Sequence, residues 1–441
     1  MVKEIGLLDK KIDEKLLEKL EERRKIEIQK LQISAISKGA EPSLGGEEEI
    51  EEEPPEIIKF IFGNNSTQIL SKGPIVILYK ELETDSTIGS FETLCIRIFT
   101  EKKGGEPRYF SIKNLDPYNI REVEKYIKPE GNIVRIDLDT LKKDAEESKR
   151  NIFEIVSSER LRETLDRFIV GDISFLIFKT RDEKLYEYCK QVLMNLSASV
   201  EHPLRIIEVI PQKLSIEEKK ILTKLAWGLS VKGIETDIKV ISSDRPIGTT
   251  LDDIFNKFGK TKHEEYLENL QKEKYGMYWD ATKPHEGQES DLHRQIKTFI
   301  VKLLAKKHNL RTKEEIKEKV LTEKEINYIK PDIYDTIEGT AYEIETLFSE
   351  DNEGKAPRDK LNKTIEKYEE TPIRKINIVL DNITFLIHIR DLLGIKRNIR
   401  DWENKTGKSV TFLTLDVENY KLIPINKIPK KIKSLNKVSE K

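Results

Sequence analysis

Few residues of this sequence can form disulfides or hold a transition metal. The 441 residues include two Cys and six His, together with three Met and three Trp. Cys95 and Cys189 are too few for a disulfide framework or a zinc knuckle, and the histidines lack the spacing of zinc ligands. We therefore expect both thiols to be buried as small apolar side chains.

Long apolar runs are also absent from the sequence. No stretch of about 18 apolar residues occurs, which argues against a membrane-spanning helix. The first residues, MVKEIGLLDKKIDEK, are charged throughout and do not resemble a secretory signal. These features predict a soluble, cytoplasmic protein without a membrane partner.

Charged residues are abundant and unevenly distributed. They make up 36% of the chain, and the abundance of Lys, Glu and Ile resembles the composition of proteins from hyperthermophiles. Residues 281–441 hold 32 Lys and Arg against 27 Asp and Glu, whereas residues 36–56 hold one Lys against eight Glu. The mildly basic C-terminal part is compatible with a nucleic-acid partner but does not by itself predict one.

The first 56 residues divide into a helix pattern and a linker pattern. In residues 1–35, apolar side chains recur every three or four positions between charged ones, which predicts an amphipathic helix. This helix either packs on its own domain or binds a partner, including a second copy of the chain, because its heptads are imperfect. Residues 36–56 are rich in Gly, Pro, Ser and Glu, and they predict a flexible acidic linker.

Residues 57–280 are predicted to form a mostly parallel α/β domain, because strand and helix patterns alternate along them. The predicted strands are 57–62, 75–80, 132–138, 173–178, 204–210 and 236–242. The predicted helices are 88–100, 119–128, 157–170, 182–196 and 215–230.

The beginning of this domain has the layout of a phosphate-binding loop but lacks its chemistry. The loop holds a single glycine, Gly89, and no lysine follows it. The strand ISFLIF continues into Lys179, at the place where a metal-binding Asp ends the corresponding strand of such ATPases. The domain is therefore either a degenerate P-loop-like fold or a parallel-sheet interaction domain without a ligand.

Residues 281–425 predict a second α/β domain, and residues 426–441 form a Lys-rich tail. The domain begins with a helix and a hairpin whose turn falls at Glu338-Gly339. Its predicted elements are helix 288–308, strands PDIYDTI and TAYEIETL, helix 357–370, strand 375–381, helix 383–394, and strands 410–416 and 420–425.

Carboxylates converge on this predicted hairpin. Asp332 begins its first strand, and Glu343 and Glu345 lie two positions apart on its second, so both glutamates face one side of the sheet. Glu289 opens the preceding helix. Such carboxylates repel one another unless a cation binds them, and all-oxygen ligation suits Mg²⁺ or Mn²⁺. The competing interpretation is a solvent-exposed charged face of an edge hairpin.

Glu289, Pro331-Asp332 and Glu343-x-Glu345 resemble the motif of the PD-(D/E)xK nuclease superfamily, whose fold is restriction-endonuclease-like. The order of elements in the C-terminal domain resembles that of the same family. This resemblance implies that Asp332 and Glu343 are the metal ligands and that Glu289 supports the metal site. It also implies the hydrolysis of DNA phosphodiester bonds.

The sequence departs from the family pattern at Glu345, which stands where the family has its water-activating Lys. Either Glu345 acts as a general base or a further ligand, or a lysine of the next helix, Lys360 or Lys363, replaces the missing one. Further cations are candidates for contacts with DNA phosphates, with a solubilising role as the alternative for the tail. They are Arg358 and Lys363 on that helix, and Lys430, Lys431 and Lys433 in the tail.

The sequence thus predicts a Mg²⁺-dependent nuclease that acts on DNA. The predicted catalytic residues are Glu289, Asp332, Glu343, Glu345 and Lys360. His293, one helical turn after Glu289, is interpreted as a surface histidine, with a hydrogen bond near the site as the alternative. One rival hypothesis is a nuclease-fold protein that binds DNA without cleaving it. The other is a scaffolding or nucleotide-responsive subunit that acts through its N-terminal domain.

Overall fold

A computed structural model describes residues 73–428, apart from short internal segments. These segments are 104–105, 114, 116, 129–130, 169–173, 199–204, 230–248, 285–288 and 346–356. The predicted N-terminal helix, the acidic linker and the strands at 57–62 and 236–242 lie outside the described residues, as does the Lys-rich tail beyond residue 428. None of the helices in the described ranges combines the length and apolar character needed to cross a membrane.

A parallel five-stranded sheet forms the N-terminal half, as the alternating pattern predicts. Its strand order is β2-β3-β4-β1-β5. The central strands are apolar and almost fully buried, as is typical of parallel strands covered on both faces. The strands are β1 (Ile75–Lys80), β2 (Arg108–Ile112), β3 (Asn132–Asp137), β4 (Phe175–Thr180) and β5 (Ile206–Val209).

Helices connect these strands and cover the sheet. They are α1 (Ile88–Lys103), α2 (Pro117–Glu124), α3 (Leu138–Glu147), α4 (Ile152–Ile155), α5 (Ser158–Phe168), α6 (Glu183–Ala198) and α7 (Ile216–Trp227). Helix α7 begins with a capping box formed by Ser215 and Glu218, and it ends at Gly228. A Cβ atom at Gly228 would lie 2.5 Å from the carbonyl oxygen of Leu415, and its φ is +63°, so glycine is required on both grounds.

A run of short helical elements leads from the first sheet to the second. It contains a π-helix (Asp252–Lys260), α8 (Thr261–Lys272), a 3₁₀ turn (Glu273–Gly276) and α9 (Met277–Ala281). The sequence pattern predicts a helix followed by a connector over this region. The structure places helical turns in the predicted connector as well.

The C-terminal half contains a mixed six-stranded sheet in the order β11-β10-β9-β8-β7-β6. Strands β6, β7 and β8 form an antiparallel meander. Strands β8, β9 and β10 run parallel to one another, and β11 is antiparallel to β10. The strands are β6 (Val320–Thr322), β7 (Ile333–Asp335), β8 (Thr340–Ile344), β9 (Lys375–Val379), β10 (Ser409–Asp416) and β11 (Lys421–Pro424).

The hairpin predicted from the sequence is confirmed as β7 and β8. Its turn contains Gly339 with a φ of +62°, which glycine adopts without strain. The helices around this sheet are α10 (Asp291–Lys307), α11 (Lys313–Lys319), α12 (Pro357–Glu366), α13 (Asn382–Ile387), α14 (Ile389–Asn398) and α15 (Arg400–Thr406). The single helix predicted over 383–394 is instead two helices that meet at His388.

One apolar core runs continuously from the first sheet to the second within the compact unit Pro54–Lys441. Buried charges also join the two halves. The Arg97 guanidinium of α1 donates to Asp381, which caps α13, and His388 lies 2.9 Å from Glu101 of α1. Cys95 and Cys189 are buried, as predicted.

The histidine at this junction makes stability depend on pH. Burial lowers the pKa of His388, but the charge of Glu101 and hydrogen bonding to Asp391 and Glu101 outweigh burial and raise the pKa to about 9. The raised pKa stabilises the fold fully below about pH 6.5, and this contribution is lost as the pH rises through about 9. We therefore expect the free energy of unfolding to fall by about 3 kcal/mol from this group over that range.

Denaturant unfolding of the full chain across this pH range measures the effect. His388→Gln removes the titrating group, so the difference between the wild-type and variant curves isolates it from His293, whose pKa is also raised to about 9. A wild-type curve parallel to that of the variant would contradict the prediction.

Candidate functional site

The hairpin brings Asp332 and Glu343 to adjacent strands. Ile333 pairs with Tyr342, so Asp332, just before β7, lies across from Glu343 of β8. The backbone N–H of Ile344 donates to Asp332 Oδ2 at 2.7 Å, which fixes this carboxylate against the neighbouring strand. Asp332 and Glu343 thus form one carboxylate pair because the hairpin folds back on itself.

Glu343 and Glu345 project from the same face of β8, and both are buried. Their exposed fractions are 5% and 7%, and β8 lies inside the sheet between β7 and β9. The interpretation of these glutamates as an exposed face of an edge hairpin is therefore wrong.

The helix after the hairpin supplies the partners of both glutamates. Lys360 Nζ lies 3.2 Å from Glu345 Oε2, and the Thr364 hydroxyl donates to Glu345 Oε1 at 2.6 Å. Just beyond this helix, Lys367 Nζ lies 2.9 Å from Glu343 Oε2, and the Tyr368 hydroxyl donates to Glu343 Oε1. Each buried carboxylate is thus bonded to one lysine and one hydroxyl.

The two facing carboxylates differ in their electrostatics. Burial and the charge of Asp332 raise the pKa of Glu343 to about 8, although Lys367 and Tyr368 oppose the rise. Burial also raises the pKa of Asp332, but hydrogen bonding and charge from His293 outweigh it and leave that pKa below its usual value. Asp332 therefore favours its ionised form, whereas Glu343 beside it favours its protonated form. A cation bound between them would stabilise the ionised form of both.

Helix α10 forms a second wall of the site. Ser290 caps it by accepting from the backbone N–H of His293. Nδ1 of His293 lies 2.7 Å from Glu289 Oε1, and its Nε2 lies 3.5 Å from Asp332 Oδ2. His293 is therefore a largely buried link between Glu289 and Asp332, and the interpretation as a surface histidine is wrong.

A buried lysine lies behind this wall. Lys297, one turn after His293, is fully buried, with an exposed fraction of 0%. Its Nζ lies 2.7 Å from Glu289 Oε1 and 2.6 Å from Glu323 Oε1. Glu289, just before α10, is thus held in place by both a histidine and a lysine of that helix.

The structure brings some predicted site residues together and separates others. Glu289, Asp332, Glu343, Glu345 and Lys360 meet in one cluster, whereas Lys363 is exposed on α12. The backbone of Arg358 belongs to α12. Lys430, Lys431 and Lys433 lie outside the described residues.

The sequence interpretation missed the roles of Lys297, Glu323 and Tyr368. The spacing of Glu289, His293 and Lys297, four residues apart each time, was the available signal for Lys297, because such residues share a helix face. Nothing local pointed to Glu323, which lies 26 residues away from Lys297.

A separate group with metal-type side chains lies at the other end of the hairpin. His308, Asp335 and Glu338 place one ligand atom each within 4.8 Å of one another. Asp335 already accepts from His308 at 2.8 Å and from the backbone N–H of Ile337 at 3.0 Å, and Glu338 pairs with Lys307. These bonds connect the hairpin turn with the end of α10. The three side chains therefore lie close together without needing an ion between them.

The first turn of α1 is occupied by the chain's own carboxylate. Asp252 Oδ1 accepts from the backbone N–H and hydroxyl of Ser90 at 2.7 and 2.8 Å. Its Oδ2 accepts from the N–H of Gly89 at 3.0 Å and the hydroxyl of Ser86 at 2.7 Å. A helix N-terminus after a parallel strand is where a phosphate binds in nucleotide-binding folds, and here Asp252 fills that place.

A lysine of β4 lies at the same edge of the sheet, among several carboxylates. Lys179 Nζ lies 3.0 Å from Glu81, 3.4 Å from Asp137 and 3.0 Å from Asp139. Lys179 thus offsets part of the negative charge of three carboxylates at the carboxyl edge of the sheet.

No protein-family model matches this chain, and no curated protein matches its sequence.

Proposed function

We propose that this protein is a Mg²⁺-dependent phosphodiesterase that cleaves DNA. The observation that carries this proposal is the buried pairing of Asp332 with Glu343 across β7 and β8. Two carboxylates facing each other in a partly buried site are costly without a cation, and their oxygens are the ligands that Mg²⁺ or Mn²⁺ prefers. Burial, and then the charge of Asp332, raise the pKa of Glu343. This rise supports a cation site here, because a bound cation would offset the repulsion between the two carboxylates.

The order of elements supports the PD-(D/E)xK resemblance as the basis of this proposal. Helix α10 is followed by an antiparallel three-strand meander, helix α12, and then β9 parallel to β8. The resemblance implies this arrangement, with the acidic pair on the second and third strands. The proposed fold of the C-terminal half is therefore restriction-endonuclease-like.

The residues around the pair have separate roles in the proposed reaction. A bound Mg²⁺ supplies polarisation of the phosphate and a water of lowered pKa. Lys367, beside Glu343, is placed to contact a non-bridging phosphate oxygen. Glu345, held by Lys360 and Thr364, is the carboxylate that we assign to accept the proton of the attacking water at Oε2. His293 orients Asp332 from the opposite wall.

In this proposal the N-terminal sheet works without a nucleotide. Asp252 and Lys179 already fill the anionic and cationic positions of its carboxyl edge. The buried ion pair between Arg97 and Asp381 attaches the sheet to the nuclease half. We propose that the N-terminal half is a rigid scaffold that selects substrate or partner.

Titration of Mn²⁺ into the full chain, followed by incubation with plasmid and single-stranded DNA, tests the function. We expect saturable metal binding and metal-dependent cleavage by the wild type, both lost in Asp332→Asn. Metal-independent DNA binding without cleavage by the wild type would instead support the rival hypothesis of an inactive nuclease-fold protein. Absence of metal binding by the wild type would contradict the proposed site.

A further inference from the structure

A basic pocket lies beside the acidic cluster, lined by residues of α9, α10, α11 and β6. Its volume is about 630 Å³, and five cationic side chains line it against one carboxylate, that of Asp280. The cations are Lys283, Arg294, Lys313, Lys317 and Lys324. A surface with this excess of positive charge attracts a polyanion.

Two other pockets in the described part of the chain lack this charge excess. The pocket between α1, α8 and α10 is lined by five carboxylates and only two side chains with a permanent positive charge. The pocket at the carboxyl edge of the first sheet has equal numbers of cations and carboxylates. The basic pocket is therefore a local feature and does not follow from the composition of the chain, whose net charge is −2.

Two chain connections tie the basic pocket to the acidic cluster. Lys324 directly follows Glu323, whose backbone N–H donates to the carbonyl oxygen of Asp332 at 3.2 Å. Arg294 directly follows His293, whose ring contacts Asp332. Because successive residues on a helix point about 100° apart, His293 faces the acidic cluster while Arg294 faces the pocket.

The pocket wall is held in place by contacts that leave its cations at the surface. The N–H of Lys283 donates to the Thr322 hydroxyl at 2.8 Å, which ties the end of the connector to β6. The Arg294 guanidinium stacks on the ring of Trp279 with 4.0 Å to its centroid, and its buried Nε has no hydrogen-bond partner in the described ranges. Lys317 and Lys324 are exposed. Lys313 pairs with Asp280 at 3.2 Å, the one carboxylate of the pocket. Accessible lysines beside the acidic cluster suit a strand of phosphates.

We propose that this basic pocket binds the phosphate backbone of the DNA strand next to the scissile phosphate. The choice of DNA as partner rests on the proposed function. Contacts of this kind position the strand without reading its sequence, because the lysines meet phosphate groups and not base edges. The pocket thus extends the substrate site from the acidic cluster towards α11.

Binding of fluorescein-labelled DNA to the full chain, measured by anisotropy in EDTA over a KCl series, tests this surface without cleavage. We expect Lys317→Ala/Lys324→Ala to raise the Kd for a short duplex by about 10-fold at low salt. We also expect the slope of log Kd against log salt to fall by about one for each lysine removed. Both lysines are exposed, so the free energy of unfolding is expected to remain that of the wild type.

The matched control is Lys143→Ala/Lys184→Ala, which removes two exposed lysines from the N-terminal half. It is expected to change the Kd less than twofold, because long-range charge is screened. Equal affinity of the Lys317/Lys324 variant and the wild type, or an equal loss in the control, would overturn the inference even if the wild type cleaves DNA. Lysine-dependent binding by a chain that never cleaves DNA would support the surface and contradict only the proposed function.

Discussion

Exchanging Glu343 for Gln is expected to reduce Mg²⁺-dependent DNA cleavage by about 100- to 1,000-fold. The amide keeps the shape of the side chain and still accepts from Tyr368, but it loses the negative charge that faces Asp332. Because burial raises the pKa of Glu343 to about 8, removal of its charge does not cost folding free energy. The variant should therefore be as stable as the wild type while its cleavage rate falls.

The measurement is the cleavage rate at saturating DNA, together with the midpoint of thermal unfolding. Glu338→Gln is the matched control, since it makes the same chemical change at an exposed position of the same hairpin, where the carboxylate pairs only with Lys307 in the described structure. Its cleavage rate should stay within twofold of the wild type. A Glu343→Gln variant that cleaves DNA at the wild-type rate would contradict the assignment of Glu343 as a metal ligand.

The second large effect is expected on stability, from Lys297→Met. Methionine fills the space of the lysine stem but removes the ammonium group that lies between Glu289 and Glu323, so these two carboxylates lose the buried cation that they share. Both carboxylates are almost fully buried, with exposed side-chain fractions of 6% and 1%. Breaking a buried ion pair from one side costs about 3–5 kcal/mol, and we expect a loss of that size in the free energy of unfolding.

Denaturant unfolding of Lys297→Met, with Lys330→Met beside it, measures this loss. Lys330 also approaches Glu323, at 3.6 Å, but it is partly exposed, so its replacement should cost less than about 1 kcal/mol. Adding Glu289→Gln and Glu323→Gln to Lys297→Met should restore most of the lost stability, because no unpaired charge then remains buried. If Lys297→Met costs no more than Lys330→Met, the buried network does not stabilise the site wall.

The acidic hairpin was predictable from the sequence because its information is local. Alternation places Glu343 and Glu345 on one face, and Glu338-Gly339 marks the turn, so the register follows from a few adjacent residues. The sequence could not show whether that face is buried. The burial of this face depends on Lys367 and Tyr368, which cover it from a later part of the chain. No local sequence pattern predicts that these two residues contact the hairpin.

Elements that carry little local pattern were missed. Strand β6 has three residues, too few for alternation to be visible, and β2 is an edge strand with mostly exposed or half-buried side chains. The strand order of the first sheet is likewise set by long-range packing. The alternation of strands and helices predicts a parallel sheet, but it does not say that β1 lies between β4 and β5.

The carboxylate of Asp252 at the head of α1 has a consequence for what the stability of this fold depends on. In a fold that depends on a nucleotide, mass action links stability to the cellular concentration of that nucleotide. Here the anion is tethered to the chain, so its effective concentration is fixed and does not follow metabolism. We therefore expect ATP to leave the unfolding temperature of the chain unchanged.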